Sequence, residues 1–378
     1  MRIVCLITHM DRGGAQEAIL RLSRQLRARG HDSEVWFLYG KTMAYRDQPH
    51  TRLLLPDAEA GAFGYLRVAS RLVRMLARHR PDAVVSFLPL ANVLGQAAAM
   101  AAGVRARVAS QRNPCWTYGA AMRWADLAAG SIGLYSRNVA NSRSVADSAA
   151  RYPAGYRRRI DIVHNGIEWV PSPLGRREAR DRFGLPAGVP LLLVLGRLCH
   201  QKNQALAVRA LAGVPGGMLV LAGDGEDRAA LEAQVRDLGV GERVRFLGSV
   251  PPAEVPHLLG AVDVFVQPSR YEGQSNALLE AMNAGLAVVA SDIPSQAETL
   301  GDPGAEPAGL LVSLGDEDGW RSALASLVGS PDLRGRLGER ARERARVFSV
   351  ERMAEGFERV LLEVAPRERA PSMPAALR

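Results

Sequence analysis

Cysteine is scarce in this 378-residue chain. Its three cysteines, Cys5, Cys115 and Cys199, are far apart, odd in number and without the spacing of metal ligands. This pattern excludes a disulfide framework and a zinc site, and it fits a reducing cytoplasm. The first apolar run, within MRIVCLITHMDRGG, is too short for a signal peptide. We therefore expect a cytoplasmic protein.

Long apolar runs are also few. The segment 83–104 carries no charge and is long enough to span a bilayer. However, it is largely alanine, contains Pro89 and Gly103, and carries several polar side chains. We interpret it as a strand over 83–88, a turn and a buried helix, and not as a transmembrane segment.

The length of the chain predicts two domains, and its composition is ordinary for a globular protein. The net charge of +9 is uneven, because residues 1–170 carry 24 Lys and Arg against 12 Asp and Glu. A basic amino-terminal half favours an acidic partner. Since no sequence typical of a nucleic-acid module is present, we expect an anionic lipid or a phosphorylated acceptor and no nucleic acid.

Residues 261–300 predict a strand (262–266), a loop, a helix (about 277–284) and a second strand (286–290). Pro268 ends the first strand, Ser275 or Asn276 is the expected N-cap of the helix, and Gly285 is its expected C′ residue. The free N–H groups of such a helix start form an anion site, for which a diphosphate is the natural ligand.

Two carboxylates, Glu272 and Glu280, lie in this otherwise anion-binding place. Carboxylates repel phosphate, so they are explained better as acceptors from hydroxyl groups on either side of a diphosphate. A nucleotide sugar has that layout, with a sugar on one side and a ribose on the other.

Two other strand ends carry candidate ligand-binding residues. An apolar strand over 190–195 leads into Gly196-Arg197 and, five residues later, Lys202, two cations that could neutralise a diphosphate. After the first strand (Ile3 to Ile7), Gly13 and Gly14 precede a helix and permit close approach of a ligand to the backbone. The Gly13-Gly14 pair lacks the G-x-G-x-x-G dinucleotide pattern, and the Gly223-Asp224-Gly225 segment lacks its third glycine.

A strand over 104–110 is followed by Arg112 and Asn113, which are candidates for contact with a sugar or an acceptor, or simply an exposed turn. A helix over 65–80 is predicted to place Leu66 and Leu72 on its apolar face. Its arginines recur at spacings of four, three and four and form one stripe: Arg67, Arg71, Arg74 and Arg78. The stripe is either a solvated helix face or a contact for anionic lipid.

Three motifs of the chain resemble those of the retaining glycosyltransferases of family 4. They are E-G-x6-E-A at 272–281, G-R-x4-K at 196–202 and V-x-N-G-I at 163–167. The resemblance implies an α/β protein of GT-B architecture, with two Rossmann-like, doubly wound parallel-sheet domains facing across a cleft. The expected divisions are an acceptor-binding domain (1–172), a nucleotide-sugar-binding domain (173–348), a helix crossing back to the first domain (349–364) and a disordered tail (365–378).

The resemblance also implies a role for each candidate residue. Arg197 and Lys202 would bind the diphosphate and stabilise the leaving group, Glu272 would hold the donor sugar, and Glu280 the ribose. The backbone at Gln274, Ser275 and Asn276 would contact the phosphates, Gly248 would approach the base, and Gly13 and Gly14 would close on the donor. The same frame makes His164 a structural residue, with Asn165-Gly166 forming a turn.

The expected activity is transfer of a hexosyl or N-acetylhexosaminyl group, with retention, from a nucleotide diphosphate sugar to a glycan or polyprenyl-diphosphate-linked acceptor in polysaccharide synthesis. We expect no metal and no other cofactor, and a cytoplasmic protein that is peripheral on the inner face of the membrane. A non-catalytic nucleotide-sugar-binding subunit and a nucleotide-sugar 2-epimerase on the same fold stay open as alternatives. A phosphorylase is disfavoured, since the only lysines are Lys41 and Lys202 and the second already has a role.

Overall fold

A computed structural model describes residues 1–57, 62–302 and 304–365 of the chain. The contacts divide the chain into two compact units. The first unit comprises Met1–Asn141, Ser148–Val163 and the residues from Met353 onward, and the second comprises Ser142–Asp147 and His164–Arg352. Each unit is built around its own parallel sheet.

The described residues of the first unit form seven parallel strands in the order β3-β2-β1-β4-β5-β6-β7. The strands are β1 (Arg2–Met10), β2 (Asp32–Gly40), β3 (Thr51–Leu55), β4 (Ala83–Phe87), β5 (Ala106–Gln111), β6 (Arg137–Ala140) and β7 (Ile160–Ile162). The helices up to residue 163 are α1 (Gly14–Ala28), α2 (Ala62–His79), α3 (Gln96–Ala101), α4 (Ala120–Ser131), α5 (Arg143–Ser148) and α6 (Ala154–Arg157).

In the second unit, the part that the structure describes forms six parallel strands in the order β10-β9-β8-β11-β12-β13. They are β8 (Leu191–Leu195), β9 (Met218–Ala222), β10 (Val244–Gly248), β11 (Val264–Gln267), β12 (Ala287–Ser291) and β13 (Leu310–Val312). The helices are α7 (Arg176–Arg182), α8 (Gln204–Ala212), α9 (Arg228–Asp237), α10 (Val255–Ala261), α11 (Asn276–Asn283), α12 (Pro294–Leu300), α13 (Glu317–Gly329) and α14 (Pro331–Ala345). A last helix, α15 (Val350–Val364), returns to the first unit.

The sheets are covered on both faces, which explains why their central strands contain runs of consecutive apolar residues, such as Leu191–Leu195 in β8. In β8, Leu191 and Leu193 belong to one buried cluster, whereas Leu192 and Val194 belong to another. The same alternation occurs in β1 of the first unit. The prediction of an α/β protein with two doubly wound parallel sheets is therefore confirmed.

Helix α15 contributes to the core of the first unit. Its residues Met353, Phe357 and Leu361 are buried in the cluster that also contains Ile3 and Val163. Their spacing of four residues places them on one face of the helix. Of the tail for which we predict disorder, all residues after Ala365 lie outside the described part of the chain.

Helix α2 differs in one respect from the prediction. Leu72 and Leu76 are buried as expected, but Val68 is the buried residue of the preceding turn and Leu66 is 67% exposed. The prediction for Leu66 was wrong because the buried stripe follows positions 68, 72 and 76. All four arginines of the predicted stripe are exposed: Arg67, Arg71, Arg74 and Arg78.

The uncharged segment 83–104 forms β4, a π-helical turn (Ala91–Gly95) and α3. Several of its polar side chains form internal hydrogen bonds, since Ser86 donates to Asn92 Oδ1 at 2.9 Å and Gln96 Nε2 donates to Val108 O at 2.9 Å. Among the described helices, none has the length and apolar content needed to cross a bilayer.

Candidate active site

The candidate site of the second unit lies where its strand order reverses. Strand β8 pairs with β9 on one side and with β11 on the other, so the loops after β8 and β11 leave the same edge of the sheet in opposite directions. Ligands of open α/β sheets bind at such a switch point, outside the carboxyl ends of the strands. The two loops contain the predicted Arg197, Lys202 and Glu272.

Lys202 and Glu272 form an ion pair between these two loops. Lys202 Nζ donates to Glu272 Oε1 at 2.6 Å, and the two side chains are only 20% and 7% exposed. Gln201 supports the pair by donating from Nε2 to Tyr271 O at 3.1 Å and to Glu272 Oε2 at 3.4 Å. Arg197 is exposed at the start of the loop after β8. Because the lysine–glutamate pair has no net charge, Arg197 supplies the net positive charge of the two loops' predicted site residues.

Backbone and amide contacts hold the two loops at a fixed separation. Asn203 adopts a left-handed conformation (φ 52°) just before α8, and its Nδ2 donates to Pro268 O at 3.1 Å. The N–H of Arg270 donates to Gln201 O at 2.8 Å, and its guanidinium donates to Asn203 Oδ1 at 3.2 Å. Asparagine tolerates the left-handed region better than most residues, so Asn203 is suited to this turn. It was not among the predicted site residues.

The loop after β9 packs closely against the loop after β8. A Cβ at Gly223, where φ is +141°, would lie 2.0 Å from Gly196 O, so only glycine fits there. The N–H of Gly223 donates to Gly248 O at 2.7 Å, and the N–H of Ser249 donates to Asp224 Oδ2 at 2.8 Å. The predicted Gly248 therefore lies at the carboxyl end of β10, next to this loop.

Helix α11 has the predicted caps. Ser275 is the N-cap residue, and its Oγ accepts from the N–H of Leu278 at 3.3 Å and donates to Gln267 Oε1 at 3.0 Å. At the other end, Gly285 (φ +73°) donates to Met282 O at 2.9 Å and the following residue donates to the carbonyl of residue 281. This is a Schellman motif, which requires a residue such as glycine at C′. Glu280 is half-buried on this helix.

The segment after β7 forms hydrogen bonds with the loop that follows β11. The N–H of Asn165 donates to Gln274 Oε1 at 2.6 Å, while Asn165 Nδ2 donates to Gln274 O at 3.0 Å and to Asn276 Oδ1 at 2.9 Å. Asn165 is 2% exposed. The frame V-x-N-G-I identifies Asn165 in the sequence, but its contact with the loop was not predicted.

The predicted turn at Asn165-Gly166 was wrong, since the backbone has no turn there and forms a bridge at Ile167. Gly166 is needed for close packing instead, because a Cβ there would lie 2.4 Å from Ser349 O and 2.5 Å from Val350 Cα.

His164 has a structural contact, with its Nε2 2.8 Å from Glu298 Oε1. Glu298 also accepts from the N–H groups of Arg143 at 2.8 Å and Ser144 at 3.3 Å, at the start of α5. Burial raises the pKa of Glu298, but the hydrogen bonds from His164 and from these two N–H groups outweigh it and hold the pKa below its ordinary value.

The other candidates belong to the first unit and follow β1 and β5 of its sheet. Gly13 is the N-cap residue of α1 and Gly14 is its first residue. Arg112 is 7% exposed, with its guanidinium 4.5 Å from the ring centre of Phe87. Burial lowers the pKa of Arg112 to about 9. Arg112 is therefore not part of an exposed turn, whereas Asn113 is half-buried.

Within the described ranges, no three His, Cys, Asp or Glu side chains are grouped as a metal site requires. The cysteines Cys5, Cys115 and Cys199 are all free thiols. The polar and charged groups of the second unit's site are thus a lysine–glutamate pair, an exposed arginine, amide side chains and a helix start. Such a set can bind an anion and hydroxyl groups.

Comparison with known proteins now places the chain in a family. The model described as "Glycosyl transferases group 1" matches residues 175–344, and the model described as "Glycosyltransferase Family 4" matches residues 12–168. The GDP-mannose-dependent alpha-(1-6)-phosphatidylinositol monomannoside mannosyltransferase of Mycolicibacterium smegmatis is 30% identical over 311 residues, with 76% of each chain covered. The chain belongs to glycosyltransferase family 4.

Other relatives of this family 4 member are more local matches. The lipopolysaccharide core biosynthesis glycosyltransferase LpsE of Rhizobium meliloti is 34% identical over 215 residues, which cover 55% of this chain and 60% of that protein. A 2-deoxystreptamine N-acetyl-D-glucosaminyltransferase of Streptomyces fradiae is 32% identical over 218 residues, which cover 53% of this chain and 52% of that protein. The chain thus spans between half and three-fifths of these two relatives.

Solved structures share the fold over nearly the whole chain. HepE of Anabaena, in complex with UDP and glucose, superposes with a TM-score of 0.84 at 20% identity and covers 96% of this chain and 100% of that one. WaaG, a glycosyltransferase of lipopolysaccharide biosynthesis, gives a TM-score of 0.73 at 20% identity, with 97% and 100% covered. The expected GT-B architecture is confirmed.

Proposed function

We propose that this protein transfers a sugar from a nucleotide diphosphate sugar to a glycan or polyprenyl-diphosphate-linked acceptor, with retention of the anomeric configuration. The transferred group is a hexosyl or N-acetylhexosaminyl residue. The proposal draws on family membership for the reaction class and on the second unit's site for the donor.

The observation that carries the proposal is the ion pair between Lys202 and Glu272 at the switch point of the second sheet. Lys202 Nζ has three N–H donors, and the pair uses one of them. The others can bind a phosphate oxygen together with the Arg197 guanidinium. Glu272, held in place from both sides, can accept from hydroxyl groups of the donor sugar, while Glu280 binds the ribose.

In the proposed reaction, the bond between the anomeric carbon and the diphosphate breaks. The nucleoside diphosphate leaves with the electron pair, and Arg197 and Lys202 stabilise the negative charge that develops on it. The acceptor oxygen forms the new bond on the same face of the sugar, and its proton passes to the leaving phosphate. The positive charges of the site are thus complementary to the negative charge that develops on the leaving group. Because this charge is larger in the transition state than in the bound donor, they lower the barrier of the transfer reaction.

The nature of the two substrates rests on relatives and on charge. HepE, a neighbour in fold, binds UDP and UDP-glucose, which supports a nucleotide sugar as donor. LpsE acts in lipopolysaccharide core biosynthesis and the mycobacterial relative on a phosphatidylinositol mannoside, which supports a glycan or lipid-linked acceptor. An acceptor held at the inner face of the membrane also fits the basic amino-terminal half and the exposed arginine stripe of α2.

The proposal is tested by thermal-shift binding against UDP-, GDP-, ADP- and dTDP-sugars, with Glu280→Ala and Glu339→Ala beside the native protein. Glu339 is an exposed glutamate of α14 and serves as the matched control. A ligand that binds only the folded state at 100 times its Kd stabilises it by about 2.7 kcal/mol. We expect one donor to raise the melting temperature of the native protein and of Glu339→Ala, but not of Glu280→Ala.

If no nucleotide sugar stabilises the well-folded native protein, the proposal fails. A donor that binds is then incubated with candidate acceptors, and the anomeric configuration of the product is read by NMR. An inverted product would contradict retention.

A further inference from the structure

The side chain of Gln274 is fixed in an unusual way. It lies two residues after Glu272, directly before the N-cap residue Ser275, and is 6% exposed. Its Oε1 accepts from the backbone N–H of Asn165 at 2.6 Å, and its own carbonyl oxygen accepts from Asn165 Nδ2 at 3.0 Å. Two hydrogen bonds from one buried residue therefore hold both the backbone and the side chain of Gln274.

These contacts also decide which way the amide of Gln274 points. A backbone N–H can only donate, so the atom of Gln274 that faces Asn165 N must be the oxygen. Likewise, a carbonyl oxygen can only accept, which fixes the nitrogen of Asn165 on the side of Gln274 O. The orientation of Gln274 follows from hydrogen-bond chemistry, and its Nε2 must point away from Asn165 N.

Gln274 Nε2 is buried, yet it has no hydrogen-bond partner among the residues that the structure describes. Buried amide groups in folded proteins almost always have a partner, because an unpaired donor loses its hydrogen bonds to water without compensation. The hydrogen-bond partner of this N–H group is therefore expected to be an oxygen atom outside the described chain. The acceptor must reach the loop that also carries Glu272.

We propose that Gln274 Nε2 donates a hydrogen bond to an oxygen of the bound nucleotide sugar, on its sugar or on its diphosphate, and so selects the donor. This inference rests on the proposed function. The clamp by Asn165 orients the amide before the ligand arrives, so binding loses little side-chain freedom. Gln274 thereby acts through its side chain, in addition to the backbone contact expected from the sequence.

The test compares Gln274→Glu and Gln274→Met with the native protein. Glutamate keeps an oxygen for the N–H of Asn165 but replaces the Nε2 donor with an acceptor, and methionine is neutral, similar in length and lacks the donor. Gln234→Glu is the matched control, because the Nε2 of Gln234 already donates to Ala205 O at 3.1 Å. The affinities for UDP-glucose, GDP-mannose, UDP and GDP are measured by titration calorimetry, and folding is checked by the melting temperature without ligand.

We expect both Gln274 variants to lose about 10-fold or more in affinity for the nucleotide sugar that the native protein binds, while Gln234→Glu binds like the native protein. A loss confined to the nucleotide sugar places the acceptor oxygen on the sugar, and an equal loss with the free nucleotide places it on the diphosphate.

One result would overturn the inference alone. Native affinity in Gln274→Met would show that no hydrogen bond from Nε2 is used, whether or not Gln274→Glu is weakened by charge repulsion. If the native protein binds none of the four probes and no other nucleotide sugar, the proposed function and this inference fail together.

Discussion

At the scale of single residues, the site is organised by the pairing of Lys202 with Glu272. The resemblance to family 4 assigns them to different parts of a ligand, the diphosphate and the sugar. In the structure, each is the other's partner at 2.6 Å and both are largely buried. A buried ion pair of this kind contributes little by itself, but the loss of one partner leaves an uncompensated charge.

We therefore predict that Lys202→Met lowers the free energy of unfolding by about 3 kcal/mol, because the Glu272 carboxylate is left buried without a cation. The double variant Lys202→Met/Glu272→Gln should lose less free energy of unfolding than Lys202→Met alone, since glutamine leaves no buried charge. Urea unfolding of the native protein, both single variants and the double variant forms a double-mutant cycle. Strictly additive losses would show that the two residues do not interact.

At the scale of elements, the start of α5 depends on a charged side chain from α12. Glu298 accepts from the first N–H groups of α5 and contacts His164, and these interactions hold its pKa below the ordinary value against the effect of burial. A negative charge at a helix start is stabilised by the helix dipole. Because Glu298 binds its proton more weakly in the folded state, its contribution to stability depends on pH.

The direction of this pH dependence follows from the lowered pKa of Glu298 in the folded state. The stabilisation by Glu298 is complete above its unfolded-state pKa of about 4.3 and is lost as the pH falls through the lower folded-state value. We predict that the stability difference between the native protein and Glu298→Gln is complete near pH 6 and shrinks as the pH falls below the unfolded-state pKa of about 4.3. Urea midpoints across this range measure it, with Glu339→Gln as an exposed control. A difference that does not change with pH would contradict the assignment.

At the scale of the whole molecule, the distribution of charge is the feature with a functional consequence. Excess basic residues lie in positions 1–170, and the arginine stripe of α2 is exposed along its full length. Near an anionic membrane surface, each such residue contributes about 1 kcal/mol to binding. Such a stripe suits a protein whose proposed acceptor is lipid-linked.

We predict that the protein co-sediments with vesicles containing phosphatidylglycerol and not with vesicles of phosphatidylcholine alone. Replacement of Arg67, Arg71, Arg74 and Arg78 by alanine should weaken this binding at least about 10-fold. The control carries the same charge change on exposed arginines of the second unit, at Arg236, Arg321, Arg336 and Arg346. Binding that is insensitive to anionic lipid, or equally weakened in both variants, would refute the role of the stripe.

The sequence alone determined the fold class, because buried parallel strands leave continuous apolar runs and helices leave a period near 3.6 residues. It also identified the caps of α11, since Ser275 and Gly285 act locally. It missed β3 and α4, whose residues are only partly buried and have weaker patterns. Element ends shifted by one to three residues where hydrogen bonds, and not composition, set the boundary.

Only the tertiary structure decided which functional residues meet. Lys202 and Glu272 are 70 positions apart, and Asn165 and Gln274 are 109 apart. These pairs form because the strand order brings the loop after β8 beside the loop after β11, and because residues 164–167 pack with the second unit. A sequence records local propensity and residue chemistry, whereas hydrogen bonds between distant segments depend on how the sheet is assembled.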